Sequence, residues 1–306
     1  MTILVTGAAG FIGRPVAAAL HAQGRQVVGT DVVTPEAPGF AFTQADLAEP
    51  PALEAIIASH DVQAIVHCGA ISGPMLARDR PDLLVAVNIG GTMTLLEQAR
   101  RRGMRRFVFC SSAQAYGDTG PAPVSEESPF NATDLYGASK GACDLVLRAY
   151  RAQYGLSAVA LRISYAYGPG RSTACAVRAM LADALAGRPT RLGWGGGHER
   201  AYLYVADAVA GVIAALDAPA PAQPFYNLAS DEAHSMDAIA QAVQALLPQA
   251  DIALAPGPNP LNYHRETLDI TAAARDLGWR PRVDLKQGLR AYLDWMHAQH
   301  RKGLSP

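Results

Sequence analysis

The sequence predicts an α/β protein: a doubly wound parallel sheet followed by a smaller mixed α/β domain. Three observations point there. Short β-branched runs alternate with long Ala/Leu-rich helical patterns through the first half. Several runs are apolar nearly throughout, as strands are when both faces of their sheet are covered. A glycine-rich turn joins the first run to the first helical pattern.

The predicted strands are Thr2–Thr6, Gln26–Asp31, Phe40–Gln44, Val62–Cys68, Arg106–Ser111 and Ala158–Ile163. Helices are predicted between them at Ile12–Gln23, Pro51–Ser59, Pro81–Arg102 and Asp134–Tyr154. Alternation at this spacing is the mark of right-handed βαβ units. The second half is less regular. Helices are expected near Ala174–Ala186, Ala206–Asp217, Ser235–Leu247 and Leu285–Gln299, with a turn at Gly193–Gly197 and Pro-rich loops at Ala218–Pro224 and Pro256–Pro260.

Composition mainly excludes. The 306 residues are 50% hydrophobic and 17% charged, which rules out intrinsic disorder. A net charge of -1 offers no electrostatic argument for a nucleic-acid or membrane-surface partner. Cys68, Cys110, Cys143 and Cys175 form no CxxC pair and read as buried small hydrophobes, with no metal site expected. The opening Thr2-Ile3-Leu4-Val5-Thr6 reads as a strand without a basic leader, and no apolar run has the roughly 18 residues of a membrane span. A cytoplasmic protein is expected.

The chemistry begins at Gly7-Ala8-Ala9-Gly10-Phe11-Ile12-Gly13. Glycines here permit a tight turn and close backbone approach, and the helix start offers free N–H groups to a pyrophosphate. Asp31 ends the second strand, 18 residues beyond Gly13. An acid there accepts from an adenosine ribose and repels a 2′-phosphate, and Val32-Val33-Thr34 supply no cation, so NAD is expected over NADP. Asp46-Leu47, after the third strand, is the expected contact with the adenine. Tyr136 and Lys140 stand four apart on a predicted helix and share a face. A lysine beside a phenol favours the phenolate, suiting the tyrosine to acid/base work. Ser112, after the fifth strand, is placed to hydrogen-bond the reacting oxygen.

In this order and spacing the chain resembles the extended short-chain dehydrogenase/reductase family, the NAD-dependent epimerase/dehydratase group. The resemblance extends through Ile65–Ala70, Asn88–Thr92, Leu161-Arg162-Ile163, Tyr167-Gly168-Pro169, Arg200–Asp207 and Leu277–Pro281. It implies a Rossmann-type cofactor domain over residues 1–165 and a substrate domain over 166–306, with some segments crossing back. It also implies Tyr136 as acid/base, Lys140 as its tuner and ribose anchor, and Ser112 as partner of a substrate hydroxyl. Cofactor contacts are expected from Gly7, Gly10, Phe11, Ile12, Gly13, Asp31, Asp46, Leu47, Ala70, Tyr136, Lys140 and Ile163. Substrate contacts are expected from Ser112, Gln114, Tyr165, Arg171, Arg200 and Arg265. A homodimer through the helices near Pro81–Arg102 and Asp134–Tyr154 is implied as well.

Departures from the family pattern sort the reactions. The 4,6-dehydratases of this family carry an Asp-Glu pair after the catalytic Ser/Thr, where this chain has Ala113 and Gln114. That leaves a sugar epimerase acting through a transient keto intermediate, on a nucleotide sugar. A net dehydrogenase of a small sugar, sugar acid or polyol stays open. It is favoured by Tyr165 in place of a family Asn, and by Asn259 where a second pyrophosphate Arg is expected, ten residues before Asp269. A non-catalytic NAD-sensing module is disfavoured because Tyr136 and Lys140 both stand. The arginines between Arg100 and Arg106 read as a solvated helix end. His198 and Glu199 are open between substrate contact and solvation, and His67 is expected at the end of the fourth strand, near the cofactor and not on a metal.

Overall fold

The computed structural model describes residues 1–119, 122–197, 199–259, 263–264 and 267–302, and of Arg200 the backbone. Its centre is a seven-stranded, wholly parallel sheet. The first part of the chain runs β1 (Thr2–Thr6), α1 (Gly13–Ala22), β2 (Gln26–Asp31), β3 (Ala41–Gln44), α2 (Pro50–Ser59), β4 (Val62–His67), α3 (Pro81–Val85), α4 (Gly91–Arg101), β5 (Arg106–Ser112), α5 (Leu135–Tyr154) and β6 (Ala158–Ile163). Then follow β7 (Tyr165–Tyr167), α6 (Ala176–Leu185), β8 (Thr190–Gly196), β9 (Glu199–Arg200), β10 (Tyr202–Tyr204), α7 (Val205–Asp217), β11 (Phe225–Leu228), β12 (His234–Ser235), α8 (Met236–Leu246), β13 (Ile252–Pro256), α9 (Thr271–Leu277) and α10 (Leu285–Arg301).

The sheet order is β11-β6-β5-β4-β1-β2-β3. Order reverses between β1 and β4, and the crevice beyond the carboxyl ends of those strands is where doubly wound sheets bind ligands. Successive residues of each strand enter opposite cores. Ile3, Val5, Val66 and Val108 pack with α1 and α7, while Leu4, Ile65, Phe107 and Phe109 pack with α2, α4 and α5. A third core joins α6, α8 and α10, the last through Leu289, Tyr292, Leu293 and Met296 at helical spacing. Asp207 ties this region to the sheet side: its carboxylate accepts from Arg282 N and Val283 N at 3.0 Å, and its carbonyl accepts from Trp279 Nε1 at 3.0 Å.

Three differences from the sequence reading have physical causes. The helix predicted over Pro81–Arg102 is interrupted by a π turn at Ala86–Gly90, which swings Asn88 inward. The turn predicted at Gly193–Gly197 is largely strand: β8 pairs with β13 from Thr190↔Ile252 onward, and the glycines let its end lie against the Pro256 backbone. β11 follows a Pro-rich loop and is four residues long, too short for a periodic signal, yet it closes the sheet edge against β6.

The least expected core element is a buried cation. Arg162, next to the last residue of the otherwise apolar β6, is 1% exposed. Its Nε donates to Asp144 Oδ2 at 2.8 Å, and its Nη1 donates to Tyr116 Oη and Glu126 O, each at 2.8 Å. The guanidinium lies 4.1 Å from the Phe225 ring centroid and 4.6 Å from that of Phe130. Tyr116 passes the chain on to Asn227 Oδ1 at 2.7 Å, and Asn227 holds Val124 O and Asp269 O. Removing one member of a buried pair leaves the other uncompensated. Arg162→Gln should therefore lose about 3–5 kcal/mol of stability by urea unfolding. The double variant Arg162→Met/Asp144→Leu should lose less than the single one.

Candidate active site

The glycine turn follows β1 directly. Gly7 has φ +65°, and a side chain there would meet the Gly69 backbone at 2.7 Å. A Cβ on Gly13 would stand 2.1 Å from Gly7 O, so the turn and α1 close only with glycine at both places. The result is a backbone cradle at a helix start, suited to a pyrophosphate. Asp31 braces it: Oδ2 accepts from Ala9 N at 3.0 Å and Oδ1 from Val33 N at 3.3 Å. Gly7, Gly10, Phe11, Ile12, Gly13, Asp31, Asp46, Leu47 and Ala70 line one cleft of about 430 Å³. The nine expected cofactor contacts of the β1–β4 region thus meet.

A second cavity adjoins it, and a third adjoins the second. A pocket of about 150 Å³ shares Phe11, Ile12 and Ser72 with the cleft, and is lined by Ser112, Gln114, Tyr136, Ile163, Tyr165 and Arg171. An outer chamber of about 460 Å³ shares Pro74 and Tyr136 with that pocket, and is lined by Arg78, Asp118, Asp134 and Tyr263. The inner pocket lies below the range usual for a drug-sized ligand and suits a group of single-ring size.

Local capping aims the side chains. Ser112 ends β5 and caps the short turn Ala113–Tyr116, its Oγ accepting from Gln114 N at 3.1 Å. Its proton is left to donate into the pocket. Asp134 caps α5, accepting from Gly137 N at 2.9 Å, which sets Tyr136 in the helix's first turn. Tyr136 Oη lies 3.5 Å from Ser72 Oγ. Lys140, one turn on, is buried beneath: Nζ donates to Cys110 O at 2.9 Å, 4.5 Å above Phe109 and 6.0 Å from the Tyr136 ring centroid. Ser112, Gln114, Tyr136, Tyr165 and Arg171 are brought together, and Lys140 is buried behind them without lining the pocket. Arg200 sits in β9 with its backbone paired to His234. Arg265 and His198, and the Arg200 side chain, lie outside the described residues.

Sequence reasoning places Asn88 at the head of the family segment Asn88–Thr92 but gives it no role. Its Oδ1 accepts from Ile71 N at 2.8 Å, while Nδ2 reaches Ile71 O and Ser139 Oγ, each at 3.1 Å. It fastens the loop carrying Ser72 to the helix carrying Tyr136. A π turn beside a binding cleft is the available signal, and it is visible only in the backbone. Ser72 is likewise found only by its proximity. Cys68 lines the cleft; Cys110, Cys143 and Cys175 are buried, and all four are free thiols. Among the described residues no group of three or more His, Cys, Asp or Glu converges as metal ligands. Among them, too, no helix is long and apolar enough to cross a membrane.

Residues 3–229 match the model of the NAD dependent epimerase/dehydratase family, and the chain belongs to that family. It is 32% identical over 303 residues to UDP-glucose 4-epimerase of Mycolicibacterium smegmatis, a match covering 94% of this chain and 96% of the relative. It is 29% identical over 310 residues to dTDP-glucose 4,6-dehydratase of Streptomyces antibioticus, covering 96% and 92%. The crystal structure of Thermus thermophilus UDP-glucose 4-epimerase in complex with NAD superposes with a TM-score of 0.87 at 29% identity, covering 97% of this chain and 99% of that one.

His67, at the end of β4, is fully buried behind the cleft. Thr92 Oγ1 gives its proton to Asn88 O at 2.6 Å, so at the 2.9 Å contact the His67 Nε2–H must donate. Nδ1 then accepts from Thr6 Oγ1 at 2.6 Å, and Thr6 Oγ1 accepts from Gly69 N at 3.1 Å. Each proton is used once by a neutral imidazole. Burial, then the Lys140 charge, drive its pKa down to about 3. The unfolded chain takes up a proton near the ordinary value of 6.5 while the folded chain does not. Stability from this group is therefore full above that value and is lost as pH falls towards 3. Urea unfolding at pH 7 and pH 5 should show the wild-type chain losing about 2 kcal/mol more than His67→Gln. Equal losses would place the acid sensitivity elsewhere.

Proposed function

We propose that the chain is an NAD-dependent sugar epimerase, acting on a carbinol through a transient keto form of the sugar, with a nucleotide sugar as substrate. The observation that carries this reading is the meeting of Ser112 and Tyr136 in a pocket whose wall, at Phe11, Ile12 and Ser72, is also the wall of the glycine-turn cleft. Gly7–Gly13, Asp31, Asp46, Leu47, Ala70 and Ile163 would hold NAD, with Lys140 as ribose anchor. When bound, NAD supplies reversible hydride acceptance at the carbinol carbon.

Tyr136 takes the carbinol proton on oxidation and returns it to the same oxygen on reduction. Ser112 donates a hydrogen bond to that oxygen. Ala113 and Gln114 supply no acid/base pair for eliminating water, which favours epimerisation over dehydration. Epimerisation also requires the keto sugar to present its other face, and the outer chamber beside Tyr136 gives it volume to turn. Net oxidation of a small sugar, sugar acid or polyol is the second reading, favoured by Tyr165 in the wall of a pocket of about 150 Å³.

Division near residue 165 into a cofactor half and a substrate half belongs to this proposal, with β11 returning to the cofactor-side sheet. So does a homodimer, supported by the exposed Val85, Leu135 and Leu145 on α3 and α5. A cytoplasmic location is supported by the free thiols, which reducing compartments maintain.

With NAD-loaded enzyme and UDP-glucose, NMR should show interconversion with the epimeric sugar and no accumulating NADH absorbance. Tyr136→Phe should lower kcat by about 10²–10⁴ with NAD affinity retained. Stoichiometric NADH release would overturn epimerisation in favour of net oxidation.

A further inference from the structure

The pocket that holds Ser112 and Tyr136 is electrostatically one-sided. Arg171 is the only permanently charged side chain lining it, and no carboxylate lines it among the described residues. The guanidinium is fixed in place: Nη1 donates to Ala166 O at 2.5 Å, and the group lies 4.6 Å from the Tyr165 ring centroid and 5.6 Å from that of Phe11. Its Nε is buried without a hydrogen-bond partner, and so is Ser164 Oγ in the same wall. None of the ion pairs among the described residues includes Arg171, although Arg25, Arg100, Arg162 and Arg188 each hold a carboxylate. A half-buried cation without a counter-charge costs stability unless an anion arrives with the ligand.

We infer that Arg171 selects a sugar bearing a carboxylate, which it pairs with while Ser112 and Tyr136 face the carbinol of the same ring. The inference rests on the sugar-oxidoreductase reading above. A planar guanidinium held by a carbonyl and two rings presents its remaining N–H edge in the geometry that a carboxylate fills bidentately. Arg171 shares one pocket with Ser112 and Tyr136, which places that carboxylate on the reacting sugar itself. Tyr165, at the position of a family Asn, serves as the platform on which Arg171 lies. A nucleotide-linked uronate and a free sugar acid present the same group to Arg171, and the test separates the two sources.

The test is calorimetric binding to NAD-loaded enzyme with five probes: UDP-glucuronate, UDP-glucose, D-glucuronate, D-glucose and UDP. Wild-type enzyme should bind the acid of one pair about 10- to 100-fold more tightly than its neutral counterpart, the preferred pair identifying the source. Arg171→Gln should bring that ratio near one, and Arg171→Lys should restore part of it, with the NAD affinity of both unchanged. A wild-type ratio near one would overturn the inference. So would equal weakening of acid and neutral sugars in Arg171→Gln (a packing role), weakened binding of UDP alone (a diphosphate contact), or loss of NAD affinity (a cofactor contact). Failure of the epimerase reading is read separately, as absence of interconversion, because the binding ratio holds whether the sugar is epimerised or oxidised.

Discussion

The buried pair of Arg162 and Asp144 joins elements that lie far apart in the chain. One guanidinium links β6 to α5 through Asp144, to the turn after Ser112 through Tyr116, and to the following loop through Glu126 O. Tyr116 and Asn227 carry the connection to β11 and to Asp269. β6, α5, the turn after Ser112 and β11 are therefore fastened to one another by hydrogen bonds of fixed direction. Apolar packing alone would allow these elements to slide, and sliding by a fraction of a residue would separate Ser112 from Tyr136. Burial pushes the Asp144 carboxyl upward, and the Arg162 charge opposes that push. The arrangement is thus held by mutual need: neither ion is tolerable there without the other.

Around that anchor the site is assembled from strand ends and helix starts. β1 delivers the glycine turn, β5 delivers Ser112, and the Asp134 cap delivers Tyr136. Polar residues directly behind them, His67, Thr6, Thr92 and Asn88, form one hydrogen-bonded relay that ties the loop after β4 to α4 and α5. Each belongs to a different element, so the site's rigidity comes from tertiary closure and not from any single loop. The three joined cavities follow from this. They are the spaces left where the carboxyl ends of β1, β4, β5 and β6 diverge.

How much is legible in the sequence depends on the range of the interactions. β1, β2 and β6 are readable to the residue because each is an apolar or β-branched run bounded by turn residues, and its neighbouring helix is local. Asp31, Ser112 and Tyr136 are readable because spacing along a strand or helix fixes their direction. β7 through β13 are not: β7 and β9 to β12 have two to four residues, and β8, though longer, is rich in glycine and pairs with β13 far along the chain. Arg162 carries a usable signal, a lone arginine in an otherwise apolar strand, but its partners lie 18, 36 and 46 residues earlier. Lys140 falls on the expected face, yet its ammonium turns to a backbone carbonyl that no sequence pattern marks.

The π turn at Ala86–Gly90 also bears on how this chain can vary in length. Its extra residue lets Asn88 meet Ile71 and Ser139 while Thr92, in α4, meets His67. Deleting a single residue there would restore a regular helix and rotate everything on one side by about 100°. Thr92 would then leave His67, and Asn88 would leave the Ser72 loop. Insertions and deletions should consequently be excluded from this one turn. Chain length here is a property of the active site.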